Sequence, residues 1–255
     1  MSPDGSLLAD LRATGSGLPV RRALVVTAHP DDVDFGAGGT VAALTDAGVE
    51  VAYCIVTDGD AGGFDPSVGR AEMASLRRQE QCAAAKVLGV EDVTFLGYPD
   101  GRLVPSIELR RDITRVIRQV RPDRVICQSP DRLWDRLPAS HPDHLAAGEA
   151  AVSAVYPDAR NPFAHPELLD DGLEAHTVCE IWLMAAEAGP ATRYVDVTTT
   201  ADRKLAALRC HASQLPDVDR METMVRGWLT ATASQAGVGS GRMAEAFRVV
   251  PAAFS

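Results

Sequence analysis

The chain has 255 residues and 46% apolar side chains, enough to bury a full core, which excludes intrinsic disorder and a disulfide-dependent fold. Its 25 Lys and Arg against 35 Asp and Glu give a formal charge of −10, and no basic stripe offsets it, so no nucleic acid is expected as a partner. No run approaches the ~18 apolar residues that a span needs, so no membrane is expected either.

Residues 1–21 read as an N-terminal arm without an apolar leader core. The continuous apolar run 23–28 predicts a strand buried on both faces. A helix over 39–47 and a second strand over 49–57 follow. The helix predicted for 72–88 stops at Gly89, where a C′ glycine belongs, and a third strand covers 93–96. Leu109, Ile113, Val116, Ile117 and Val120 fall at i, i+4, i+7, i+8 and i+11, a helical stripe that Pro122 closes.

Further on come a strand at 124–128, a helix at 140–155, strands at 178–184 and 194–197, and a helix at 201–215. The segment 157–177 is long for a connection without structure, and reads as a lid or a homo-oligomer contact. Residues 216–255 carry no clear pattern and read as a C-terminal extension. Strands alternating with helices predict one α/β domain: a doubly wound, mostly parallel, Rossmann-like sheet with helices on both faces. Five cysteines (Cys54, Cys82, Cys127, Cys179, Cys210), odd in number and without C-x-x-C, read as free thiols in a reducing compartment, hence a cytoplasmic protein.

In such a sheet ligands bind beyond the carboxyl ends of the strands. After the first strand stands His29-Pro30-Asp31-Asp32, and after the fourth Ser140-His141-Pro142-Asp143-His144. Two His-Pro-Asp segments at one predicted edge are a metal-site signature. A hydrolytic zinc site takes three His or Asp/Glu ligands and leaves a position for water. His29, Asp32 and His144 supply that set, with Asp31 left over as a candidate general base and His141 left over on the other side. A single His or Asp at a strand end is usually a turn or cap residue. Asp143 has such a reason to be there, since Ser140-x-x-Asp143 has the form of a capping box. Gly36-Ala37-Gly38-Gly39 does not complete a dinucleotide fingerprint, and neither a P-loop nor a G-x-S-x-G elbow occurs. These glycines read instead as allowing close backbone approach.

These paired motifs resemble the LmbE-like (PIG-L) zinc-dependent N-deacetylases over about residues 22–215. Supporting likenesses are Thr57-Asp58-Gly59, Arg77-x-x-Glu80, Asp100 and His211-x-Ser213-Gln214. The resemblance implies zinc on His29, Asp32 and His144, with Fe2+ as the alternative ion in the cell. Water activated by that metal would attack the amide, and Asp31 would take its proton. His141 would face the oxyanion and the leaving amine, and Asp143 would orient a histidine. The substrate implied is a small N-acetylated amino-sugar conjugate, with Arg77 and Asp100 as substrate-binding candidates. One departure stands out: some members carry a tyrosine two residues before the histidine matching His141, and here that residue is Ala139.

The bland expectation for Arg77 is an ion pair with Glu80 on the same helix. Arg132, Trp134 and Arg136 are loop residues within reach of a glycoside. Two alternatives stay open at this level. Two histidines and a carboxylate also describe a non-haem Fe(II) oxygenase, and the fold could serve as a silent sugar-binding module.

Overall fold

The computed structural model describes residues 8–189 and 192–253; the first seven residues of the arm and the last two of the extension lie outside the described residues. β1 (Arg22–Thr27), β2 (Glu50–Thr57), β3 (Asp92–Tyr98), β4 (Arg124–Gln128), β5 (Glu180–Met184), β6 (Thr192–Asp196) and β7 (Ala244–Pro251) form one sheet in the order β3-β2-β1-β4-β5-β7-β6. β1 to β5 are parallel, and β7 pairs antiparallel with β5 and β6.

Among the described residues seven α-helices accompany them: α1 (Asp32–Asp46), α2 (Arg70–Val87), α3 (Ile107–Val120), α4 (Pro142–Ser153), α5 (Pro166–Asp170), α6 (Ala201–Arg209) and α7 (Val218–Gln235). The strand period of two divides each strand between two cores. Ala23 and Val25 of β1 pack with α1, α2, α6 and α7, while Leu24 and Val26 pack with α3 and α4. The sheet is therefore the mostly parallel, doubly wound one expected. The chain order reverses between β1 and β4, and the crevice beyond their carboxyl ends is where the two His-Pro-Asp segments emerge.

Several elements differ from the sequence reading. α1 starts at Asp32, not 39, so the glycines lie inside the helix. The reason is close packing: a Cβ on Gly39 would stand 2.8 Å from Val197 Cβ, and one on Gly36 2.6 Å from Met184 Sδ. α6 ends at Arg209, and His211-x-Ser213-Gln214 sits in a short 3-10 turn beyond it. The unpatterned 216–255 region supplies α7 and β7. β7 lacks a clean apolar pattern because it buries Glu245, which pairs with Lys204 at 2.5 Å.

The segment 157–177 is not structureless. Buried Arg118 of α3 donates to the carbonyl oxygens of Asp158, Ala159, Asn161, Ala164 and Leu173, and Arg110 forms a two-pronged pair with Asp158. Those bonds anchor it to α3 in a way that a loose lid would not be. The arm is tied down similarly, by Arg124 donating to the carbonyls of Asp10, Leu11 and Ala13.

Candidate metal centre

The turn after β1 is built by its own backbone. Ala28 N–H donates to Gln128 Oε1 of β4 at 3.0 Å, and His29 N–H to Asp32 Oδ2 at 2.7 Å. Asp31 is forced to φ 94°, the left-handed region that non-glycine residues rarely adopt. Two contacts hold it there. Its N–H donates to Gln81 Oε1 at 2.8 Å, and Arg77 donates to the preceding Pro30 carbonyl at 2.5 Å.

His29 is 7% exposed and lies among three carboxylates. Its Nδ1 is 3.3 Å from Asp32 Oδ2, and its Nε2 is 3.1 Å from Asp100 Oδ1 and 3.2 Å from Asp143 Oδ2. The other Asp32 oxygen lies 3.0 Å from His144 Nε2, so one carboxylate links both histidines. The rings of His29, His141 and His144 form a triangle with centroids 5.1 to 5.3 Å apart. Two groups of donor atoms fall within 4.8 Å of one another: those of His29, His141 and His144, and those of His29, Asp100 and Asp143.

The donor chemistry fits a divalent ion. Burial works against charge on His29, but the carboxylates of Asp100, Asp143 and Asp32 outweigh it and push its pKa up to about 12. A cation held among these groups would take over from the protons that now join them. A metal-bound histidine commonly gives its second N–H to a carboxylate, and Asp100 and Asp143 lie within reach of His29 Nε2.

Asp31 is raised to about 7, by burial first and the neighbouring Asp32 charge second, against the lowering effect of Arg77, His211 and His29. Arg77 Nη2 lies 3.1 Å from Asp31 Oδ2. His141 is the N-cap of α4: its Nδ1 accepts from Asp143 N–H at 3.2 Å, which leaves Nε2 as the proton-bearing atom of the neutral ring. Burial and the neighbouring His29 and His144 lower its pKa.

Two structural expectations are corrected. The Ser140 capping box does not form, because α4 starts one residue later with His141 as its cap. Ser140 Oγ accepts instead from Leu133 N–H at 2.8 Å, and the Asp143 carboxylate reaches the loop after β3, accepting from Gly101 N–H at 2.7 Å and Leu103 N–H at 3.1 Å. Arg77 does not pair with Glu80. Glu80 accepts from Ser213 N–H and Oγ–H, while Arg77, 4% exposed, donates to Gly59 O, Pro30 O and Asp31. Gly59 is required at φ 63°, since a Cβ there would stand 2.4 Å from Arg77 Nη1. Of the two substrate-binding candidates, Arg77 is thus directed to Asp31 and Asp100 to His29. Trp134 is 81% exposed, with Arg132 5.7 Å from its ring centroid.

Behind the site lies a chain of groups in which His211, part of a supporting motif, joins Asp34 and Gln81, which no motif singled out. Gln81 Nε2 donates to Asp34 Oδ2 at 3.0 Å, and the same oxygen lies 2.8 Å from His211 Nε2. Asp34 and His211 are completely buried, and although burial opposes it, Asp34 holds the His211 pKa above its ordinary value. The signals were Asp34 two residues past the first motif and Gln81 one helical turn after Arg77. Removing one partner of a buried charge pair strands the other, at a cost of about 3–5 kcal/mol. His211→Ala is therefore expected to lower unfolding stability in urea by about that amount. A loss below about 1 kcal/mol, the level of an exposed pair, would contradict the pairing.

The family model described as PIG-L, GlcNAc-PI de-N-acetylase, matches residues 24–155. The chain is 35% identical over 237 residues to the diacetylchitobiose deacetylase of Thermococcus kodakarensis, covering 92% of this chain and 85% of that one. It is 32% identical over 202 residues to a protein of Bacillus anthracis named probable N-acetyl-alpha-D-glucosaminyl L-malate deacetylase 2, covering 76% and 81%. Among solved structures, the N,N'-diacetylchitobiose deacetylase from Pyrococcus horikoshii superposes with a TM-score of 0.83 at 34% identity, covering 91% of this chain and 85% of that one.

Proposed function

Because the chain belongs to the PIG-L family, we propose that it is a metal-dependent N-deacetylase that hydrolyses the acetamide of a small N-acetylated amino-sugar conjugate. The substrate class is carried over from the names of the relatives above. The observation that supports the chemistry best is Asp32 joining His29 and His144 while Asp31, next in sequence, is raised to about 7.

His29, Asp32 and His144 would hold zinc, with Fe2+ as the alternative ion. Such an ion lowers the pKa of a coordinated water to about 7 and polarises a carbonyl. Asp31 takes the proton of the attacking water, its carboxylate held in place by Arg77. His141, its Nδ1 held by the Asp143 backbone, presents Nε2–H to the carbonyl oxygen as charge develops there and then to the departing nitrogen. Asp143 and Asp100 fix the His29 ring from behind. Arg77 and Asp100, expected to touch substrate, serve the site in this reading by holding Asp31 and His29. No helix among the described residues is long and apolar enough to cross a membrane, and the five free thiols suit the cytoplasm, where we place the enzyme.

Incubation with a panel of N-acetylglucosaminides tests the reading. Acetate and primary amine should appear in equal amounts from at least one of them. Neither product from any member, with zinc bound, would overturn it.

A further inference from the structure

A cavity of about 620 Å³ opens beside the Asp32–His144 pair, bounded by β5, β6, β7, α1, α7 and the loop after β4. Most of its wall is apolar, formed by Phe35, Met184, Met224, Trp228, Leu229 and Phe247. Three of its buried polar side chains are already engaged within the protein. Lys204 donates to Phe35 O and to Glu245, Glu245 also accepts from the N–H groups of Gly39 and Thr40, and Gln128 accepts from Ala28 N–H. Arg136, Gln235 and Arg248 lie on its exposed edge. A sugar site needs several free polar groups converging on hydroxyls. This cavity offers volume and apolar surface instead.

Its position selects one end of the substrate. Asp32 and His144 line it, whereas neither Asp31 nor His141 does. The nitrogen of a scissile amide would face His141, and the acyl group diverges from that nitrogen at the planar carbonyl carbon. The acyl group therefore runs past Asp32 and His144, where Ala139, too short to close the gap, lines the cavity.

Building on the deacetylase reading, we propose that the chain is an N-deacylase whose cavity receives an N-acyl chain several methylenes longer than acetyl. Water adds to the acyl carbon, the C–N bond breaks, and a medium-chain carboxylate and the protonated amine leave.

The test is kcat/KM of the zinc-loaded enzyme for amine release from the N-acetyl, N-butyryl, N-hexanoyl and N-octanoyl derivatives of one glucosaminide. Each methylene buried in the cavity corresponds to ~0.8 kcal/mol, so kcat/KM should rise about fourfold per methylene from acetyl to hexanoyl. Met224→Trp, at a partly exposed position on the wall, should bring the hexanoyl-to-acetyl ratio down toward one. Release that falls steadily from acetyl to octanoyl would overturn the proposal and leave the deacetylase reading standing. A rising series whose ratio Met224→Trp does not change would also overturn it, because the chain would then bind elsewhere. Release from none of the four would remove the deacetylase reading, and the longer-chain proposal with it.

Discussion

Asp31→Asn should lower kcat for amine release by about 10² to 10⁴, the range general acid–base catalysis contributes, while zinc content and fold are retained. The substitution is close to isosteric, and asparagine tolerates the left-handed backbone that Asp31 adopts at φ 94°. The hydrogen bonds from Asp31 N–H to Gln81 and from Arg77 to Pro30 O do not involve the Asp31 carboxylate, so the turn survives. What is lost is the ability to accept a proton. In the wild type, burial and the Asp32 charge raise that ability, placing the pKa at about 7, near the pH at which a general base works best. Steady-state kinetics with metal analysis on the same sample checks it. A variant within threefold of wild type would remove Asp31 from the proton transfer.

The second large effect separates metal ligands from the groups behind them. Asp32 touches both His29 Nδ1 and His144 Nε2, whereas Asp143 and Asp100 touch His29 only through Nε2. If the ion sits on the Nδ1 side, Asp32→Ala deletes a ligand and should weaken zinc affinity by well over 100-fold, beyond what losing an outer partner does. Asp143→Asn removes only such a partner, for which the loss is about 10- to 100-fold. Competition against a chelator of known affinity measures both. The reverse order, with Asp143→Asn the more damaging, would move the ion to the group formed by His29, Asp100 and Asp143.

The candidate site was legible in the sequence because its histidines sit on two short motifs in the connections that follow β1 and β4. Once 23–28 and 124–128 are read as adjacent parallel strands, His29 and His144 must meet at one edge, and they do. The helix stripe from Leu109 to Val120 was equally plain, since α3 buries one face only. The groups that support the site were harder to see, because single residues on remote elements supply them. Gln81 comes from α2, Asp34 from α1 and His211 from the turn after α6, and no spacing rule connects them. The capping reading of Ser140 followed a local pattern, but a long-range contact won: Asp143 reaches Gly101 and Leu103 instead of its own helix end.

The C-terminal elements were missed for two different reasons. Buried Glu245 interrupts the apolar pattern of β7, as a paired charge in a core must. In α7 the stripe was present, Met221, Val225 and Leu229 spaced by four with Asp217 as cap, but Gly227 and a threonine-rich end diluted it. Both elements wall the cavity beside Asp32 and His144, so its apolar character could not be read before the fold was known.

The most direct test of the central claim is one preparation taken through removal and return of its metal. Amine release from an N-acetylglucosaminide is followed after dialysis against a chelator and again after stoichiometric zinc. The account predicts that activity falls to background with the metal and returns with it, while Asp32→Ala stays inactive at every step. Full activity in metal-free protein would contradict it, because Asp31 and His141 would then be cleaving the amide without the ion proposed for His29, Asp32 and His144.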